Sequence, residues 1–380
     1  MHMADALISP AIGGTVWAAS AGLIAYCSKK VRDDVDDIKI PLMGVAGAFI
    51  FAAQMINFTI PGTGSSGHLG GAMILSVLLG PYAAFLTMAS VLTVQALFFA
   101  DGGLLALGCN IFNLGFFPCF IAYPFIYKKI AGEKPSQNRI LLGTMAASIL
   151  GLQMGAFGVV LETLFSGISE LPFGTFVLMM QPIHLAIGIV EGMVTAAVIS
   201  FVWKSRPELI EAPRRGAGGE SSPQGISSVF NLLANPAASS GECACVSVQK
   251  TTSPSPSSGF SLKYVLTALI AAAVITGGIL SWFASSHPDG LEWAVFHTTG
   301  SEELETPGHG VYSLLTKIQG KTAFLPDYNF KTSEDSDTNK PEPASIIDSG
   351  TSVSGLVGGA LVLVLAAFIG FALKKRSGTR

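Results

Sequence analysis

Long apolar runs separated by short polar breaks dominate the chain. A helix that crosses hydrocarbon needs about 20 mostly apolar residues at ~1.5 Å rise each. Runs of that kind occupy 9–27, 40–58, 104–126, 140–165, 173–202, 262–283 and 355–373. Residues 69–100 are 32 positions without a charge, too many for one upright span. Gly80-Pro81 divides them, because proline cannot continue a helix cleanly. The pattern therefore predicts a short segment 69–79 and a full one 81–100, nine crossings in all, every one helical.

Charge supports that division. Basic residues favour the cytoplasmic side of a membrane, and they cluster around Lys29–Lys39, Lys128–Arg139, Lys204–Lys263 and Lys374–Arg380. The first two clusters share a side only if an even number of crossings separates them, and the break at Pro81 gives four. Only Lys317, Lys321, Lys331 and Lys340 then fall outside. The N-terminus is expected on the outer face and the C-terminus in the cytoplasm. No Lys or Arg precedes Lys29, so the positive start of a signal peptide is missing and the first helix is expected to be retained.

Three parts emerge. Residues 1–204 form a seven-helix bundle. Residues 205–261 are rich in Gly, Pro and Ser, a composition that cannot bury a core and predicts a flexible cytoplasmic linker. Residues 262–380 form a two-helix hairpin with an outer loop, 285–354, that carries 11 acidic residues against four lysines. The fold class is all-α and polytopic. Composition agrees: 50% of residues are apolar and only 12% are charged, where about 25% is usual for a soluble protein. A net charge of −3 gives no basic surface for nucleic acid. Five scattered cysteines imply no disulfide framework, and the Cys243/Cys245 pair sits in the polar linker.

The chain has no G-x-x-x-x-G-K-[ST] segment, so it does not hydrolyse ATP through a P-loop of its own. It also lacks H-E-x-x-H and G-x-S-x-G, which argues against an intramembrane hydrolase. Gly62-Thr63-Gly64-Ser65-Ser66-Gly67 matches G-x-G-x-x-G, but it follows a membrane span and no βαβ unit surrounds it. These glycines predict a tight loop.

The first two residues carry the most suggestive chemistry. The α-amine of Met1, the amide nitrogen of His2 and the His2 imidazole can close fused chelate rings around one ion. A planar nitrogen field of that kind suits Ni²⁺ and Cu²⁺ best. A second imidazole would complete four-coordination, and His68, at the outer start of the short segment, is the candidate. From spacing alone a disordered tail and a hydrogen-bonded helix end explain the same residues. His184 and Glu191 lie two turns apart on one helix face, and Gln95 sits in another span. Polar groups at membrane depth face a bundle interior, where these three are expected to give structural support. Gly44, Ala48 and Ala52, like Gly14, Ala18 and Gly22, form small-residue stripes that let another helix approach closely. The functional reading of the first stripe is contact with a partner helix.

Taken together, Met1-His2 with Ser9-Pro10, Gly67-His68-Leu69-Gly70-Gly71, Leu79-Gly80-Pro81, the segment 94–103, Gly108-Cys109-Asn110-Ile111-Phe112-Asn113 and the His184–Gly192 segment resemble the CbiM/NikM family. Its members are the substrate-specific membrane components of energy-coupling-factor transporters for cobalt and nickel. Pro288-Asp289-Gly290-Leu291-Glu292 and Leu325-Pro326-Asp327-Tyr328 resemble the PDGLE, or NikN-type, domain found beside or fused to them. The resemblance implies Met1, His2 and His68 as metal ligands, with Asn110 and Asn113 orienting the imidazoles. It implies uptake of Ni²⁺ more than Co²⁺, or cobalt uptake for cobalamin synthesis by the same route. The ion is cargo and no cofactor is implied. Expected partners are a transmembrane coupling subunit and separate ATPase subunits in the inner membrane. A metal sensor or metalloenzyme without a coupled ATPase is the competing class, and the linker is too short and polar to serve as a sensor's output domain.

Overall fold

A computed structural model describes residues 2–34, 38–169, 171–210, 261–301, 304–330 and 349–377. Met1, most of the linker (211–260), with its Cys243 and Cys245, and much of the outer acidic segment (331–348) lie outside the described residues.

Helix α1 (Pro10–Asp34) leads into α2 (Lys39–Gln54). A small antiparallel hairpin follows, β1 (Phe58–Ile60) paired with β2 (Ser65–Gly67), with Phe58 opposite Gly67. Its turn places Gly62 and Gly64 at φ 79° and 74°, a left-handed backbone that favours glycine. The G-x-G-x-x-G glycines thus fold a tight loop, as the sequence indicates. Helix α3 (Ala72–Leu79) is buried along its whole length and has only 8 residues, about 12 Å. The helix of the short segment is therefore less than half as long as an upright span. Gly80, at φ 79°, turns the chain into α4, Pro81–Phe98, with Pro81 at the first helical position.

The bundle continues through α5 (Leu107–Ala131), α6 (Gln137–Ser166) and α7 (Phe173–Ser205). The middle of α5, Phe112–Tyr127, is wound as a π-helix containing Pro118 and Pro124. Among the described residues, α1, α4, α5, α6, α7 and the last helix are long and apolar enough to cross a membrane, while α2 and α8 (Leu262–Gly278) are apolar but shorter. Large apolar side chains such as Leu142, Phe157, Phe165 and Leu178 face outward from α6 and α7, as a lipid-facing surface requires.

The C-terminal part adds α8, α9 (Gly290–Thr299), α10 (Gly310–Thr322) and α11 (Ser349–Ser377). The outer segment expected as a loop thus carries two helices. A Cβ on Gly44 would stand 2.9 Å from the Leu363 carbonyl of α11, and one on Gly277 of α8 would stand 3.3 Å from Ala52. Gly359 of α11 lies over the Ala48 carbonyl. The partner helices of the Gly44/Ala48/Ala52 stripe therefore come from this chain's own hairpin. The reason is close packing across small residues, with Leu363, Gly359 and Gly277 seated on Gly44, Ala48 and Ala52, while Gly355 meets the Gly277 carbonyl within the hairpin itself. Gly14 and Gly22 on α1 have open space instead.

Replacing Gly44 with leucine should force α2 and α11 apart and cost about 1–3 kcal/mol, the usual range for overpacking. Thermal unfolding in detergent should show a lowered midpoint for Gly44→Leu and none for Gly14→Leu.

Candidate metal centre

The N-terminal segment is pinned at the end of the bundle. Met3 is fully buried; its N–H donates to Asn110 Oδ1 (2.8 Å), and its carbonyl accepts from Asn110 Nδ2 (3.3 Å) and from the Gly103 N–H (2.9 Å). Asp5 is buried and accepts from the Ala106 N–H (3.0 Å) just ahead of α5. Gly103 has no room for a side chain, because a Cβ there would overlap Asp5. These contacts deliver His2 to a pocket in which its side chain is only 6% exposed.

His68 enters that pocket from the loop between β2 and α3. The Gly70 N–H donates to Glu191 Oε2 (2.9 Å) and the Gly71 N–H to Oε1 (3.1 Å), so both oxygens of one carboxyl on α7 hold the two residues beyond Leu69. The Gly70 carbonyl accepts from Gln54 Nε2 (2.9 Å), and Gln54 Oε1 accepts from Gln95 Nε2 (3.0 Å). Glu191 and Gln95 thus support the loop that presents His68. His184, fully buried, donates from Nδ1 to the Met180 carbonyl (2.7 Å) and lines a cavity of about 10 Å³ with His68 and Asp289, room for about one water.

The His2 and His68 rings lie face to face, their centroids 5.1 Å apart and their planes 17° from parallel. Two imidazoles donating to one ion at about 2.0 Å would hold their centres roughly 4.5–5 Å apart. Burial, then the positive amino terminus, pulls the His2 imidazole down to about 3. The same causes, joined by His2, pull His68 down to about 4. Both rings are therefore neutral, the form that ligates metal. Met1, the third expected ligand, lies outside the described residues. Among those described, no three His, Cys, Asp or Glu side chains are grouped to hold a metal ion. Among the described residues the candidate site offers two imidazoles, His2 and His68.

Asn110 and Asn113 do not orient the imidazoles. Asn110 grips the Met3 backbone, and Asn113 Nδ2 donates to Glu162 Oε2 (2.6 Å). The imidazole partners are an acid and a carbonyl: His2 Nδ1 lies 3.2 Å from Asp101 Oδ1, and His68 Nδ1 lies 3.1 Å from the Leu69 carbonyl. Asp101 follows Ala100, whose φ of 55° costs about 1–2 kcal/mol for a residue with a Cβ. Sequence reasoning gave Asp101 no role, although it is the first charge after a long uncharged stretch.

The C-terminal unit closes over the same pocket. The Ser66 N–H donates to the Pro288 carbonyl (2.8 Å), and Trp293 Nε1 donates to the Thr63 carbonyl (2.9 Å). Asp289 caps α9, accepting from the Leu291 and Glu292 amides, while Glu292 returns the bond to the Asp289 N–H. A Cβ on Gly290 would stand 3.3 Å from the His184 ring and 2.6 Å from Ile183, so only glycine fits. Burial raises the Asp289 carboxyl, but the positive amino terminus overcomes it and holds the group well below the usual carboxylate range.

Residues 2–209 match the family described as "cobalt uptake substrate-specific transmembrane region", CbiM. The chain belongs to the CbiM family. Residues 263–375 match the PDGLE domain. The chain is 36% identical over 210 residues to a protein of Haloquadratum walsbyi named as a metal transport protein, covering 55% of this chain and 93% of that one. It is also 36% identical over 219 residues to an Archaeoglobus fulgidus protein named as a fused nickel transport protein, NikMN, covering 56% and 68%. A crystal structure of a transition metal transporter aligns with TM-score 0.48 and 29% identity over 54% of this chain and 93% of that one. CbiM-type proteins are multi-pass metal transport proteins, not enzymes, and the metal they carry is cargo.

Two measurements follow from this geometry. Glu191→Ala leaves two buried N–H groups without acceptors, at about 1–3 kcal/mol each, so hydrogen exchange at Gly70 and Gly71 should accelerate strongly. His2 and His68 titrate near 6.5 in an unfolded chain and far lower when packed. Their stabilising contribution is complete above pH about 6.5 and is lost as pH falls toward 4. The thermal midpoint should drop over that window, and His2→Ala should flatten the drop.

Proposed function

We propose that this chain is the ion-capturing component of an ATP-driven energy-coupling-factor importer for a divalent transition metal, nickel before cobalt. The observation that carries the reading is the buried, face-to-face pair of neutral imidazoles at His2 and His68. The Met1 amine and the His2 amide nitrogen complete a planar four-nitrogen field with them. Such a field favours d⁸ and d⁹ ions, and nickel stands above cobalt in the Irving–Williams order. The relative named as a fused nickel transport protein supports the same choice. Cobalt uptake by the same mechanism is the alternative within this reading.

The capture unit spans 1–204 in seven crossings, and the hairpin of 262–380 adds two. The N-terminus is extracytoplasmic and the C-terminus is cytoplasmic, in the inner membrane. ATP hydrolysis belongs to separate subunits, and a transmembrane coupling subunit docks against the open small-residue face of α1, around Gly14, Ala18 and Gly22.

The test is uptake of labelled nickel and cobalt by cells that make the chain with its coupling and ATPase subunits. Nickel should accumulate with the unaltered chain and fall to background with His68→Ala. Adding one residue before Met1, which removes the amine from the chelate, should have the same effect. Normal uptake by either variant would sink the site as drawn.

A further inference from the structure

The C-terminal unit reaches the metal centre by a second route, through its Pro326-Asp327-Tyr328 turn. The Leu325 N–H donates to the Phe98 carbonyl (3.3 Å) and the Asp327 N–H to the Phe99 carbonyl (2.8 Å), which stitches the turn to the end of α4. The Tyr328 ring stacks on Phe99, 5.1 Å between centroids and 22° from parallel. Its hydroxyl donates to Asp101 Oδ2. Gln319 of α10 holds the same loop from the other side, donating to the Ala96 (2.9 Å) and Gly102 (2.8 Å) carbonyls. Asp101 therefore has one oxygen on Tyr328 and the other on His2 Nδ1.

We infer that Tyr328 and Asp101 are positioning residues for ion capture: Tyr328 anchors Asp101, and Asp101 places the His2 imidazole against His68. The inference rests on the metal-capture reading. Nδ1 is the nitrogen that matters, because the chelate ring starting at the His2 amide runs through Cα, Cβ and Cγ to Nδ1 and reaches no farther. Without an ion, Asp101 accepts the Nδ1 proton and keeps that edge of the ring in place. When an ion takes the Nδ1 lone pair, the ring proton moves to Nε2. That nitrogen and Gln95 Oε1 are both buried without a hydrogen-bond partner in this structure, and Gln95 lies against the His2 ring. The shifted tautomer lets each satisfy the other. Asp101, still held by Tyr328, is then the adjacent negative charge to the dication.

This role differs from that of a merely structural contact. Partners that orient a ligating imidazole tune metal affinity by about 10- to 100-fold. A packing contact would lower stability and leave affinity alone.

The test is titration of the purified full-length chain with Ni²⁺, following the absorption band of planar nickel, for the unaltered protein, Tyr328→Phe and Asp101→Asn. Both variants should bind about tenfold more weakly or worse, with thermal midpoints close to the unaltered chain. In uptake, KM should rise with little change in the maximal rate. Unchanged or tighter affinity in Tyr328→Phe would overturn the inference, and so would a weakening that appears only together with a matching loss of stability. If the unaltered chain gives no planar nickel band, the capture reading itself fails, an outcome distinct from equal binding by variant and parent.

Discussion

Irregular backbone at the edge of a membrane is tolerated only where every N–H and C=O finds a partner, and the whole outer end of this protein answers to that constraint. The loop that carries His68 cannot be helical, because the imidazole must point into the pocket ahead of α3. Its buried amides at Gly70 and Gly71 are taken up by the two oxygens of Glu191, and its Gly70 carbonyl by Gln54. Each partner comes from a helix that is itself fixed in the bundle. The position of His68 is thus set by Gln54 nearby and by Glu191, more than a hundred residues away in sequence, and glycine is required at 70 because a Cβ there would stand 2.9 Å from the carboxyl that holds it.

The second half of the pocket is built by the same logic with different parts. Asn110 pairs with both the N–H and the C=O of Met3 as a neighbouring strand would, so the segment that carries His2 is held in place. Burial then keeps both imidazoles neutral. A neutral ring costs little to bury and offers a lone pair. A protonated ring would offer none and would repel a dication. Burial and ligand readiness are here one effect.

Much of this was legible in the sequence, and the limits follow from what sequence periodicity encodes. Apolar runs marked the helices, and Gly80-Pro81 marked the break between α3 and α4. The shortness of α3 was hidden, since a buried eight-residue helix and the end of a span have the same composition. Residues matching the family pattern pointed to His2 and His68. The partners of their Nδ1 atoms, Asp101 and the Leu69 carbonyl, depend on a left-handed turn at Ala100 and on a backbone group, and neither leaves a periodic signal. Asn110 stood out by type, yet its amide complements a peptide unit and binds Met3 rather than a ring. The Gly44 stripe announced a close helix contact but could not say whose. The hairpin helices that fill it, α8 and α11, come more than two hundred and more than three hundred residues later in the same chain.

That fusion explains how a modest interface can hold the pocket shut. The C-terminal unit touches the outer end through two short turns, Pro288–Glu292 and Pro326–Tyr328, and a few hydrogen bonds such as Tyr312 to the Ile8 carbonyl. As separate proteins such contacts would compete poorly with the entropy of association. Joined to the bundle through α8 and α11, which pack on the small-residue face of α2 and on each other through Gly277 and Gly355, the turns meet the pocket at the high effective concentration of an intramolecular contact. Weak local contacts then suffice, and weak contacts can also release.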